Sequence, residues 1–488
     1  MRFPLLGRLS LGLLIAAAGA SSADAQAPTG QCNILENERV DRRLEAGVPM
    51  IYVTGPFLIR CPGGEELRAL AGTVNEWTRE ILLTGNVFFQ DPTRTLTANQ
   101  ATYWANLGRL YATGNVVFTD RQEGSTIRGP ELEYFRVMEG RPEAQVNAAQ
   151  RPHLTLRPRQ AAANAEPLEI DADRVSIAGQ NNLSAYGNVI IRRTDLHATA
   201  EEALYNSATD ALDLRQNARI QSEQFNLSGR TVHARLPAGA LEYVHARTDA
   251  TLVGDELRVE APDLQLFFSE DLLHRAVART EVDPAGNRTG RAVATARAFR
   301  LEGDSIDAVT PNQRVDQVIA IGRARGESIE EAPLDAPEPA PRAESPDRPV
   351  TPDVADRDTL GPVLASSLID RDWIVGDTIT GFFEYEEAAG ATEAAADTGA
   401  VLRRIVARGM AQSLYRVEQE AGASPGQRRG INYLAGQLIE LSFESGELQV
   451  AEVTGLRRGV YLDPVPAGQP APVDPTPVAQ PIARRGGS

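Results

Sequence analysis

Between residues 48 and 330 the apolar positions come in short bursts. In "REILLTGNVFFQD" and "RLYATGNVVFTD" four to six residues alternate or run apolar, then meet Gly, Asn, Asp or Pro. Bursts of that length, bounded by turn-formers, predict strands. "VPMIYVTGPFLIRC" reads as two short strands around Gly55-Pro56. No stretch here keeps an apolar period of 3.6 residues over three turns. Residues 198–212, "ATAEEALYNSATDAL", suit a helix by composition, but their positions recur elsewhere with strand-like residues. They are read as strand too, and the predicted class is all-β.

The bursts also repeat. Gly85-Asn86-Val87 returns as Gly114-Asn115-Val116 and Gly187-Asn188-Val189. Twenty-nine positions separate Asn86 from Asn115, and again Asn188 from Asn217. Tyr103 and Tyr205 each stand 12 before an asparagine of this set, with Ala101 and Ala203 two residues earlier. "RGPELEYFRV" and "EAPDLQLFF" look like partial copies. Periods of 20–50 residues mean stacked units that cover one another's apolar faces. Gly and Asn tolerate positive φ, so each Gly-Asn is expected to turn the chain from one strand to the next. Val87 with Phe89, Val116 with Phe118, and Val189 with Ile191 then share one face by the period of two.

Beyond the array the pattern changes. "EEAPLDAPEPAPRAESPDRPVTPDVADRDTLGP" has no core-forming residues in sequence order and reads as an extended acidic linker. Strand signals resume in "TITGFFEYEE", "LRRIVARGMAQSLYRVE" and "NYLAGQLIELSFESGELQVAEVTG", the last a hairpin around Ser445-Gly446. The start of the chain, with Arg2 and Arg8, an apolar run and Ala23-Asp24-Ala25, reads as a secretory signal; an uncleaved anchor is the alternative. The expected organisation is a signal peptide over 1–25, a β array over 26–330, an acidic Pro-rich linker over 331–365, a further β region over 366–463, and a disordered Pro-rich tail over 464–488. No later segment reaches ~18 consecutive apolar residues, so the processed protein is expected to be soluble.

Charge and cysteine content narrow the function. A net charge of −17 over 488 residues argues against gripping nucleic acid phosphates. The two cysteines, Cys32 and Cys61, are expected to pair after export, with two free buried thiols as the alternative. No C-x-x-C is present, so redox catalysis is not expected.

The search for chemistry returns little. The five histidines, His153, His197, His233, His245 and His274, lack metal-ligand spacing. Asp171-Ala-Asp173 begins like a calcium loop but lacks the glycine and closing glutamate. Gly422-Ala-Ser424-Pro-Gly426 matches a nucleophile elbow as text, yet Pro425 removes the N–H an oxyanion hole needs. No cofactor, no metal and no enzymatic activity are expected.

Leu83-Thr84-Gly85-Asn86-Val87, Thr97-Ala98 with Ala101 and Tyr103, Ala112-Thr113-Gly114-Asn115-Val116 and Ala185-Tyr186-Gly187-Asn188-Val189 form ordered strand units. In these the chain resembles the organic-solvent-tolerance-like (OstA-like) family. That family includes the periplasmic lipopolysaccharide-transport bridge protein and the N-terminal domain of the outer-membrane lipopolysaccharide-assembly protein. The likeness runs from about 67 to 235, fades toward 330, and returns faintly at "VIAIGRARG" and over 430–463. The resemblance implies an elongated, V-shaped open jelly roll (β-taco) of antiparallel strands that holds glycolipid acyl chains between its sheets. It also implies a periplasmic location, with outer-membrane association, and partners among envelope lipid-transport proteins joined end to end by strand addition. On that reading Val87, Phe89, Tyr103, Val116, Phe118, Tyr134, Val189 and Ile191 face a lipid cleft. The competing expectation is a closed β-solenoid that scaffolds envelope partners. No run of aromatic-belted strands announces an outer-membrane barrel.

Overall fold

The computed structural model describes residues 32–61, 63–157, 166–194, 196–254, 257–286, 288–296, 299–311, 314–329, 371–385, 400–416, 430–444 and 447–462. The expected signal peptide, linker and tail, the Gly422–Gly426 motif and the Ser445-Gly446 turn lie outside them.

Among the described residues the chain is nearly all antiparallel β, with a short 3-10 turn at Pro237–Gly239. Twenty-eight strands join one sheet, and a two-residue hairpin, Glu281–Val282 with Arg288–Thr289, stands apart. The sheet is built from long strands that bend in the middle. Glu80–Gln90 is one strand through Gly85-Asn86, Arg109–Asp120 one strand through Gly114-Asn115, and Val48–Arg60 one strand through Gly55. The expectation that Gly-Asn divides two strands is thus corrected. The turn chemistry is right, but hydrogen bonding resumes on the far side with the same neighbour.

The reason is a bulge repeated at one level. Gly85 and Asn86 both take positive φ, +78° and +48°, and Gly114 with Asn115 repeats them at +76° and +49°. Two such residues against one on the partner strand kink the backbone and leave the flanking ladder in register. The register shifts between Thr84 and Val87, between Thr113 and Val116, and between Tyr186 and Val189. Arg215/Ala218, Arg247/Ala250, Ile321/Ala324 and Arg408/Ala411 continue the same line. The sheet therefore folds along this line into two leaves that face each other. The 29-residue interval is one passage out and back, from the bend of one strand to that of the second strand after it.

Some rungs are made of two separate halves. Gln145–Ala149 extends one leaf beside Thr126–Phe135, while His153–Leu156 extends the other. Arg174–Ala178 and Leu168–Asp171 then carry both leaves to Asn182–Arg193. Sixteen bent strands and six divided rungs give each leaf 22 strands among the described residues. At ~4.8 Å per strand the array is on the order of 100 Å long. Gln317–Ser328 pairs directly with Trp373–Tyr385, so the strands beyond the acidic segment extend the same two leaves.

Packing follows the wedge. Where the leaves converge at the bend, inward positions are small: Ala98, Ala101, Ala112, Ala185, Ala218 and Ala250 are at most 6% exposed. Away from the bend the gap widens and Phe89, Tyr103, Phe118, Tyr134, Tyr205 and Phe268 fill it. One hydrophobic cluster runs from Val53 to Leu441. A disulfide joins Cys32 to Cys61 and ties the first edge strand, Asn33–Glu36, to Val48–Arg60.

Candidate functional site

The eight positions expected to face a cleft all point between the leaves. Val87, Phe89, Val116, Phe118, Val189 and Ile191 come from one leaf, Tyr103 and Tyr134 from the other, and all belong to the same apolar cluster. None is more than 3% exposed. Side chains from opposite leaves touch directly. Phe89 lies 6.2 Å from Tyr103 and 5.8 Å from Tyr134 between ring centroids, and Phe118 lies 5.7 Å from Tyr134. Tilted pairs of this kind contribute ~0.5–1.5 kcal/mol each beyond burial. Farther along, Phe225 and Phe268 meet across the leaves at 5.5 Å. Here the two leaves are in contact, and an alkyl chain enters only as they part.

The free margins of the leaves, opposite the bend, form a lip. Near its start the lip is fastened by polar groups. The Tyr134 hydroxyl donates to Asp91 Oδ2 at 2.6 Å, across from one leaf to a turn of the other. Asp91 Oδ1 accepts from the backbone N–H of Thr93 at 2.8 Å and of Arg94 at 2.7 Å. Arg94 Nη1 donates to the Tyr134 hydroxyl at 3.3 Å. One turn away, Arg136 Nη1 lies 2.7 Å from Glu65 Oε1, and the Glu65 side chain is 3% exposed. Burial first, then the nearby Glu65 carboxylate, pushes the Tyr103 phenol above its usual value; burial and Asp91 do the same to Tyr134. Both hydroxyls remain protonated donors at any physiological pH.

Beside this fastened stretch, solvent reaches the interior. A cavity of about 50 Å³ opens between the turn that starts at Asp120 on one leaf and the turn at Gly179–Asn182 on the other. Phe118, Ile127, Val146 and Leu154 form its floor. It has room for a few waters. A broader hollow of about 500 Å³ lies on the outer face, lined by Tyr111, Glu131, Glu133, Asn147, Arg174 and Tyr186. Leu132, Ala148 and Val175 also contribute to its lining.

Elsewhere the titratable groups are spent on one another. His153 faces Glu169 at 2.6 Å and Asp171 at 3.0 Å, His233 faces Asp213 at 2.8 Å, and His245 faces Asp263 at 2.6 Å. Asp171 also holds Arg192, and Asp173 holds Arg151 and Asn188, so the Asp-x-Asp pair edges a strand. Among the described residues no three His, Cys, Asp or Glu side chains converge as metal ligands. No described helix is long and apolar enough to cross a membrane.

Sequence reasoning located the inward aromatics of the Gly-Asn units. It missed Phe225 and Phe268, which lie outside those units, and the lip residues Glu65, Asp91 and Arg136, which occupy turns. "Q-D-P-T-R" around Asp91 carried the available signal, an Asp-Pro turn whose carboxylate caps its own backbone.

No curated protein matches the chain. Residues 96–238, which hold most of the cavity's lining and six of the eight inward positions, match the family described as LptA/(LptD N-terminal domain) LPS transport protein, a transport family of the cell envelope and not a family of enzymes.

Proposed function

We propose that this chain is a periplasmic carrier or outer-membrane assembly factor that shields the acyl chains of a lipopolysaccharide-like glycolipid between its two leaves. The observation that carries the proposal is the unbroken apolar interior, which passes from rung to rung through the family-matched segment and beyond. The energies suit reversible loading. A twelve-carbon chain leaving water gains roughly 10 kcal/mol at ~0.8 per methylene. Separating four or five pairs of inward side chains, at ~1.5–3 kcal/mol for each side chain exposed, would cost about 12–30 kcal/mol if water replaced the contact. An alkyl chain replaces it instead, so side chains such as Phe118 and Tyr134 trade one apolar neighbour for another. The edge strands Arg39–Glu45 at one end and Arg458–Leu462 at the other leave Leu44 73% and Tyr461 53% exposed among the described residues. Such edges suit end-to-end addition of a partner's strands, and envelope lipid-transport proteins are the partners proposed.

One observation favours a second reading. The inward positions are sealed, as they would be in a scaffold that binds no lipid. Photo-crosslinking separates the two. A benzophenone amino acid replaces Phe118 or, as the outward control, Val117, in cells of the source organism. A glycolipid adduct from 118 and none from 117 is expected. Protein adducts alone, with none to lipid from 118 or from Val189, would establish the scaffold.

A further inference from the structure

The cavity at the lip sits where inward side chains are less sealed than those nearer the bend. Inward Leu110, Leu132 and Leu154 are 0–2% exposed, but Leu183, Tyr205 and Leu156 rise to 4, 5 and 7%, and Ile177 is only half-buried. These four come from both leaves and line one mouth. Its position follows from topology. Two successive rungs that contribute to it, Gln145–Ala149 with His153–Leu156 and Arg174–Ala178 with Leu168–Asp171, are divided into halves, so the leaves are less tied to each other there than along the continuous strands on either side.

The rim carries Arg94, Asp120, Glu123 and Arg157, and these charges are not equally engaged among the described residues. The Asp120 carboxylate is occupied: it accepts from the backbone N–H of Gln122 at 2.9 Å and of Glu123 at 3.2 Å, and it faces Arg94 at 3.6 Å. Arg94 is in turn held by Tyr134. Arg157 differs. Its backbone N–H donates to Ser125 Oγ at 3.2 Å and its stem lies over Gly124, but its exposed guanidinium enters no ion pair among the described residues. An apolar mouth whose rim bears a guanidinium with no ion pair among the described residues has the two parts needed to hold an amphiphile by tail and head.

We propose that this mouth is a lateral port for a single alkyl chain bearing an anionic head. The chain end passes between Leu156 and Leu183 and parts the leaves from here, while the head stays outside against Arg157. The inference rests on the lipid-handling reading and adds a place of entry and a head-group charge to it.

Equilibrium binding of radiolabelled dodecanoate and of neutral dodecyl maltoside to the purified full-length chain tests this. Arg157→Glu should weaken dodecanoate about tenfold and leave dodecyl maltoside within about twofold. Ile177→Trp, which puts bulk into the mouth, should weaken both. Arg219→Glu, an exposed position on the outer face, should change neither. Circular dichroism melts of each variant confirm folding, and Leu183→Trp replaces Ile177→Trp if that variant does not fold. If both probes bind all variants as they bind the wild type, the port is overturned while lipid handling stands. An equal loss of both probes in Arg157→Glu overturns the anionic head. If neither probe binds the wild type, the port and the lipid-handling reading fall together.

Discussion

Gly114→Ala tests whether the strands bend as described, because the answer lies in the sign of its effect. Gly114 holds φ +76°, and a Cβ added there would lie 2.7 Å from Asn99 Nδ2 on the neighbouring strand. A left-handed backbone costs an L-residue ~1–2 kcal/mol, and Asn99 must also move. Were the strand straight, the same change would stabilise it by ~0.4–1 kcal/mol, because alanine narrows the unfolded ensemble. Gly129→Ala is the internal control. That glycine is not left-handed, and its nearest would-be neighbours are Pro152 atoms at 3.4 Å, so the change is expected to be neutral or mildly stabilising. A global melt would dilute the difference, since stacked arrays open rung by rung. Hydrogen exchange read by mass spectrometry resolves it. Peptides covering Arg94–Trp104 and Arg109–Asp120 should lose about 5- to 30-fold in protection in Gly114→Ala, the equivalent of ~1–2 kcal/mol. Unchanged or greater protection there, with Gly129→Ala neutral, would refute the bend.

Three further outcomes are expected. Tyr134→Phe leaves the 7%-exposed Asp91 without the donor to its second oxygen and should cost ~1.5–3 kcal/mol in local exchange stability. Tyr111→Phe, whose hydroxyl meets Glu131 at 2.9 Å near the surface, should cost under ~1 kcal/mol; equal losses would argue against the buried fastening. Reducing Cys32–Cys61 should raise exchange in Asn33–Glu36, with up to ~3 kcal/mol lost at that edge, and leave rungs past Arg94–Trp104 unchanged. Absorbance titration at 295 nm should show Tyr103 and Tyr134 still protonated after exposed tyrosines have ionised near pH 10. Because their folded values are raised, the stabilisation is complete below pH 10. Above it the unfolded chain holds fewer protons than the folded one, and stability falls by ~1.4 kcal/mol per pH unit for each tyrosine. A single transition near pH 10 for all tyrosines would contradict their burial.

The strands were legible because burial alternates with period two on either side of each bend, as in Arg109–Asp120, where Leu110 and Ala112 before the bend and Val116 and Phe118 after it are buried and the residues between them are not. Their length was not. Gly-Asn in sequence looks the same whether the next strand pairs with a new neighbour or resumes with the old one, and only long-range pairing decides. Bends without the full motif were harder to see: Asn217 was marked only by its spacing from Asn188 and Tyr205, and Thr248-Asp249 and Gly409-Met410 take the same left-handed pair without a Gly-Asn. Tertiary pairing on both sides overrides local preference there, and Met410 is accommodated by pointing its side chain, 44% exposed, away from the wedge. The inward face was legible for the same period-two reason. The fastened lip was not, because Glu65, Asp91 and Arg136 are polar residues in turns, and a turn sequence does not say what faces it across a gap.

The wedge also explains where the chain can vary. At the bend the leaves are within an alanine of each other, and two left-handed residues are required in alternate strands, so an insertion there would break both neighbouring ladders. At the lip the same chain only turns. The described strands accordingly stop and resume at the lip on either side of residues 158–165, 330–370, 386–399 and 417–429, and the rungs that flank 330–370, Gln317–Ser328 and Trp373–Tyr385, still pair in register. A hinge of alanine and glycine with a variable margin opposite it fixes which way the two leaves can separate. Motion about the bend changes the lip most and the hinge least, so the polar contacts at the margin, and not the large apolar interior behind them, are the first to break when the leaves separate.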